Sequence, residues 1–263
     1  MMNMNRLLSN VGRVYLGIII VFLYVPIFVM ALMSFNASEF YQLPMDYTTI
    51  WYRKLWNNSE ILDAAWNSLW IACVTTVIAT VLGTAAAIAF FRYEFRGKAI
   101  LQALLFPPIA IPWLITGTAM LIFFFSIGLG RGSKAVILGH VALALPYVIV
   151  VVTARLRTFD PQLEEAARSL GANGWAVTRF VTLPWIASGV IAGALFAFAV
   201  SFDQFVVSYF LTQPGDSTLP VVIYSAIRKG FTPEINAVST LIIALSMTVM
   251  LLAARYAKFG GER

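Results

Sequence analysis

Apolar runs dominate the chain, and polar punctuation divides them into six, at residues 15–33, 69–91, 99–127, 135–154, 185–212 and 235–256. A helix needs about 20 apolar residues to cross ~30 Å of hydrocarbon, so each run predicts a span. The first carries Pro26, which should interrupt it. It also exceeds the apolar core of a signal peptide, usually about 7–15 residues, and has no small-residue cleavage site, so a retained anchor is expected. The second run is rich in Ala, Thr and Gly, small residues that let membrane helices approach closely. Between them, 34–67 carries Trp51, Tyr52, Trp56 and Trp66, residue types suited to a lipid–water boundary.

Two runs depart from simple spans. The third contains Pro107, Pro108 and Pro112, three missing N–H groups that predict a broken helix facing protein or a cavity rather than lipid. The fifth would extend ~42 Å as one helix, so it must tilt, bend or emerge. It holds Ser201, Asp203 and Gln204. A carboxylate within a span costs about 2.5–3.5 kcal/mol on insertion scales, so Asp203 should face protein or water. A cavity-lining contact to a solute and an interfacial position near the outer end are both open readings.

The segment 160–184, DPQLEEAARSLGANGWAVTRFVTLP, is polar and flanked by apolar runs. Asp160 suits an N-cap and Pro161 a first helical position. Glu164 and Glu165 follow near the positive dipole end, and Gly171 suits the left-handed position past a helix. Asn173 can cap a second short helix, which Pro184 should stop. Two short helices hinged at a glycine, between two spans, make a shape a partner can grip.

Composition agrees with a membrane protein: 60% of the 263 residues are hydrophobic, 11% are charged, and mean hydropathy is +0.83. The single cysteine, Cys73, excludes an intrachain disulfide and a cysteine metal cluster. The net charge of +6 is explained by topology rather than nucleic acid. With a cytoplasmic N-terminus, twelve of the 18 Lys and Arg fall on inner segments (before residue 15, in 92–98, in 155–179 and after 254), leaving six outside. This excess obeys the positive-inside rule and puts 160–184 in the cytoplasm. No internal repeat supports an inverted-repeat transporter.

The hairpin carries a resemblance. Glu165-Ala166-Ala167, three residues, Gly171, nine residues, then Val181-Thr182-Leu183-Pro184 resembles the EAA signature of ABC-importer permeases, with Val181 where isoleucine is usual. The resemblance implies an all-α membrane protein of six transmembrane helices, the type I ABC importer (MetI-like) permease fold, as one domain in a bacterial inner membrane with both termini cytoplasmic. It also implies that Glu164, Glu165, Ala166, Ala167, Gly171, Leu183 and Pro184 couple the chain to an ATPase. The implied partners are an ATPase subunit dimer, a second and related permease subunit, an extracytoplasmic solute-binding protein and membrane lipid. ATP and Mg would then sit on the partner ATPase, with no cofactor or metal on this chain.

Residues 201–242 resemble the C-terminal third of polyamine permeases of the spermidine/putrescine group. Asp203 matches the first aspartate of their S-x-D-D pattern and Gln204 replaces the second. Trp113 stands after Pro112, where an acidic residue is common. The resemblance therefore implies a solute path past Ser201, Asp203, Gln204, Pro112 and Trp113, for a small cationic or amino-acid-like solute. Trp113 can hold a cationic head by a cation–π contact worth about 0.5–2 kcal/mol.

Other candidate chemistry is thin. His140, alone in its span, reads as a helix-packing residue rather than a proton relay. The 128–134 turn, GLGRGSK, lacks the ending of a phosphate loop and follows a broken helix. No HExxH, GxSxG or Cys/His constellation is present. An ion-coupled secondary transporter and a membrane-embedded enzyme are the rivals; the first needs no ATPase, and the second needs a convergent catalytic set that one histidine and one aspartate hardly supply.

Overall fold

The computed structural model describes residues 2–38, 42, 44–230 and 233–259, with side chains from 11 to 248 within those ranges. The tail 260–263 lies outside the described residues. Among the described residues thirteen α-helices follow in order: α1 (Met2–Met33), α2 (Ile50–Trp56), α3 (Ser59–Arg92), α4 (Lys98–Leu105), α5 (Pro107–Ala110), α6 (Trp113–Ser126), α7 (Ser133–Leu156), α8 (Gln162–Ser169), α9 (Gly174–Val177), α10 (Leu183–Phe202), α11 (Val206–Leu211), α12 (Leu219–Lys229) and α13 (Pro233–Phe259). Among the described residues the nearest approach to a sheet is one isolated bridge, Asn36 to Tyr47.

Val11–Met33, Ser59–Arg92, Ser133–Leu156 and Gly174–Phe202 are long and apolar enough to cross a membrane. Lys98–Ala110 with Trp113–Ser126 gives a fifth span if that bent pair counts as one. The pair turns through 115° at 111–112, where the proline cluster was expected to break the helix. The sixth expected span falls on α13, described as an apolar helix over Pro233–Thr248.

The chain forms two compact units. One comprises Met1–Leu62 and Ile223–Phe259. Its α1 runs unbroken through Pro26, against the sequence expectation. The most apolar stretch of α1 is unburied by the chain itself, as suits a lipid-facing anchor. Trp51 also differs from expectation. It is buried, its indole N–H donating to the Asn36 carbonyl at 2.7 Å, with Lys54 over its ring. A polar ring edge that finds a backbone acceptor no longer needs the interface. Trp56 remains exposed.

The other unit, Asp63–Val222, holds most of the Ser59–Arg92 span and all of Ser133–Leu156 and Gly174–Phe202. Ala79 and Ala87 of α3, Val148 and Val152 of α7, and Ile186 and Ala197 of α10 form one core. Ile71, Phe124, Leu143, Val207 and Leu211 form a second, joining α3, α6, α7 and α11. Small residues set the spacing. A Cβ on Gly83 would fall 2.7 Å from the Val148 Cβ, and one on Gly193 would lie 3.3 Å from Val148 Cγ1. A Cβ on Gly189 would lie 2.7 Å from the Arg155 Cβ. The Leu211 carbonyl accepts the Gly132 N–H at 2.8 Å, and the Asp216 carboxylate accepts the Ser133 N–H at 3.3 Å. The first turn of α7 is thus met by the chain's own anion, which agrees with rejecting 128–134 as a phosphate loop.

Two boundaries also differ from the sequence reading. Pro184 does not stop the helix after Asn173. Residues Thr178–Thr182 form a π turn that continues into α10, with Pro184 at its start. The wider turn takes up the missing proline N–H without ending the rod. The 185–212 run ends its long helix at Phe202; Asp203 follows, and α11 begins anew at Val206.

Candidate functional site

The hairpin 160–184 is built as its residues dictate. The Asp160 carboxylate accepts the Gln162 N–H at 3.0 Å, with Pro161 at the cap position one residue later than expected. At the far end of α8, Gly171 takes φ +89°. The Gly171 N–H reaches the Arg168 carbonyl at 2.9 Å, and the Ala172 N–H reaches the Ala167 carbonyl at 3.1 Å. That pair of bonds is a Schellman ending, which needs the left-handed residue that glycine supplies. Asn173 Oδ1 then accepts the Ala176 N–H at 2.8 Å and starts α9.

Glu165, Ala166, Gly171 and Pro184 are exposed, while Ala167 and Leu183 are half-buried, Leu183 against the core. Leu170 is 90% exposed, and Trp175 and Phe180 are also open. Large apolar side chains on a polar segment mark an interaction surface.

Glu164 is placed differently from Glu165. Its side chain turns toward the chain and forms an ion pair with Arg92, the last residue of α3. Arg92 Nε donates to the same carboxylate at 3.2 Å, and its Nη1 donates to the Thr178 hydroxyl at 2.8 Å. The Thr182 hydroxyl accepts from Arg92 and donates to Glu164 at 2.7 Å. Arg168 approaches the second Glu164 oxygen at 3.8 Å. Glu164 was expected to present its charge to a partner; inside this chain that charge is engaged.

Near residue 203 the expected path residues separate into two groups. Pro112, Trp113 and Asp203 are exposed within the chain, and among the described residues the Asp203 carboxylate has no ion pair or hydrogen bond. Ser201 and Gln204 are buried. Gln204 Oε1 accepts the Val206 N–H at 3.1 Å, capping α11, and its Nε2 is buried without a partner among the described residues. Ser201 meets His140 Nδ1 at 2.8 Å, and Ser208 meets His140 Nε2 at 3.0 Å. Ser208 in turn donates to the Gln204 carbonyl at 2.7 Å. These groups hold the break in shape, and Asp203, between Ser201 and Gln204, is left open. His140 is a bonded packing residue, as read from the sequence.

Sequence reasoning missed Arg92, Thr178, Thr182 and Ser208. The signal for Arg92 was a cation directly ending an apolar run; nothing local pointed to its partner.

A sequence model of the family "binding-protein-dependent transport system inner membrane component" matches residues 79–259. The chain is 36% identical over 249 residues to the spermidine/putrescine transport system permease protein PotC of Escherichia coli K12, covering 93% of this chain and 94% of that one. It is 37% identical over 229 residues to the putrescine transport system permease protein PotI of the same strain, covering 84% and 82%. Among solved structures, a bacterial ABC transporter involved in import of the acidic polysaccharide alginate superposes with a TM-score of 0.75 at 17% identity, covering 96% of this chain and 98% of that chain. That last likeness is one of fold.

Proposed function

Because the chain belongs to the family of binding-protein-dependent transport system inner membrane components, it is the membrane-spanning permease subunit of an ABC importer, and we propose that its solute is a small cation or amino-acid-like molecule of the polyamine type. ATP hydrolysis belongs to a separate ATPase subunit, so this chain is a transport subunit and not an enzyme.

One observation carries the coupling half of this reading. The 160–184 segment is a capped, glycine-hinged hairpin that presents Glu165, Leu170, Trp175 and Phe180 outward while continuing without interruption into α10. An ATPase dimer grips two such hairpins, one from this chain and one from a related permease subunit. ATP, with Mg, binds at the ATPases and draws the hairpins together. The packed bundles then move as rigid bodies between inward- and outward-open states. The excess of basic residues on inner segments supports a cytoplasmic hairpin and cytoplasmic termini.

The solute half is supported by the relatives' polyamine names and by the open carboxylate of Asp203. A loaded extracytoplasmic binding protein delivers the solute, which passes Asp203, Trp113 and Pro112, with Ser201 and Gln204 shaping the break behind them. Gln204 in place of a second aspartate removes one negative charge, so monovalent or zwitterionic amines compete better here than at a doubly acidic site.

The test is direct: measure solute binding to the partner binding protein, then uptake of the bound solute by the reconstituted complex. Putrescine, spermidine or a related amine should bind and be taken up. Binding and uptake restricted to a neutral or anionic solute would overturn the polyamine-type reading.

A further inference from the structure

The hairpin 160–184 is joined through the backbone to α7 and α10 only. Arg92 supplies another attachment, since its guanidinium lies at the end of α3 and reaches Glu164 on α8 as well as Thr178 and Thr182 in the π turn. We propose that Arg92 is the positioning residue that makes α3 the third arm of the hairpin, so that a load on 160–184 moves α3, α7 and α10 as one body. This rests on the permease reading above, and it assigns how the hairpin's motion enters the bundle.

Several features favour a joint over a surface ion pair. The Arg92 and Glu164 side chains are 14% and 13% exposed, so water and salt screen them little. The Thr182 hydroxyl, itself buried, closes a ring by accepting from Arg92 and donating to Glu164 at 2.7 Å. Each member therefore fixes the others' geometry. A planar guanidinium suits three acceptors on two elements, which a lysine's single ammonium cannot reach at once.

The far side of the joint is equally firm. Gly83 of α3 lies against Val148 of α7, and Ala79 and Ala87 sit in the core shared with α10. A rod so seated cannot slide freely, and whatever turns its end turns the packed helices with it. Thr182 lies in the π turn, a local irregularity often found at functional positions. Opening the Arg92 ring leaves the hairpin swinging on its two covalent arms, with α3 released from the motion.

The experiment uses the whole complex, this chain with its paired permease, ATPase and binding protein, in proteoliposomes. Labelled putrescine is the probe, and the readout is putrescine moved per ATP hydrolysed. Arg92→Gln should co-purify with the ATPase as wild type does, yet lower that ratio about tenfold, and Glu164→Gln should lower the ratio as much. Arg92→Lys should not restore it, and the double exchange of Arg92→Glu with Glu164→Arg should recover part of it. A wild-type ratio in both glutamine variants would overturn the proposal. So would a loss of assembly with an unchanged ratio in whatever complex survives, because that is the result of a fold contact alone. If the wild-type complex moves no putrescine on ATP, putrescine falls as the solute while the joint stands, and the same ratio is read with the spermidine or related amine that the binding protein holds.

Discussion

His140 Nδ1 lies 2.8 Å from the Ser201 hydroxyl, and the rest of the network fixes which atom donates. Ser208 donates its proton to the Gln204 carbonyl at 2.7 Å, so its oxygen accepts from His140 Nε2–H at 3.0 Å. In a neutral ring Nδ1 is then the acceptor, and Ser201 donates to it. The imidazole is placed by α7 to bridge α10 and α11 across the break at Asp203.

Replacing His140 with leucine should strand the buried Ser201 hydroxyl and leave Ser208 only its bond to the Gln204 carbonyl. A hydrogen bond within a membrane bundle is worth about 0.6–1.7 kcal/mol, and two are lost. The expected outcome is a lower unfolding temperature of the purified chain in detergent, with Ser201→Ala adding little further loss on top of His140→Leu. Fully additive losses would show that the two side chains do not act together.

Gly83 and Val148 give a second measurable pair. Adding a methyl group in Gly83→Ala places it 2.7 Å from the Val148 Cβ, a contact that cannot persist without a shift. Overpacking of this kind costs about 1–3 kcal/mol. Val148→Ala should relieve much of the penalty in the double variant. Stability of the two single variants and the double, measured in detergent, gives the coupling between them.

Gly171 tests a different mechanism, because a Cβ there would meet open space. Its φ of +89° alone should cost Gly171→Ala about 1–2 kcal/mol, a strain the chain can bear. A tryptophan at 171 adds bulk to the exposed tip of the hairpin. The chain should still fold and insert, while ATPase co-purification or coupling of hydrolysis to uptake is lost. Wild-type coupling with tryptophan at 171 would remove the tip from the docking surface.

Asp203 is the site prediction. Asp203→Asn keeps the shape of the break and removes the open carboxylate beside it. Uptake of a cationic solute should fall by about tenfold or more, a change of at least 1.4 kcal/mol in the transport barrier, with ATPase assembly intact. Unimpaired uptake would take Asp203 out of the mechanism.

What the sequence disclosed follows the range of the forces involved. Apolar runs marked the long spans, since burial in lipid is a property of each segment by itself. The hairpin was legible for a similar reason: Gly171 and Asn173 act on the backbone within a few residues. Pro112 likewise announced its break. Features set by distant partners were not legible. Trp51 looked interfacial until the Asn36 carbonyl supplied its acceptor. Glu164 looked like part of a docking face, and its pairing with Arg92, 72 residues away, has no periodicity to betray it. Gln204 and Pro184 are local exceptions: Gln204 read as a solute contact, and its amide oxygen caps α11 two residues on. Pro184 read as a stop because the rule for residues before proline does not anticipate a π turn that absorbs it.

In this mechanism the 160–184 hairpin conveys work from an ATPase that sits on a separate subunit. The most direct measurement is solute uptake into proteoliposomes holding the permease pair, with the ATPase subunit present or omitted and ATP supplied on its side. Uptake should require both the ATPase and ATP, and should cease when Leu170 and Trp175 of the hairpin are replaced by charged residues. Sustained uptake without the ATPase, driven by an ion gradient alone, would contradict the account.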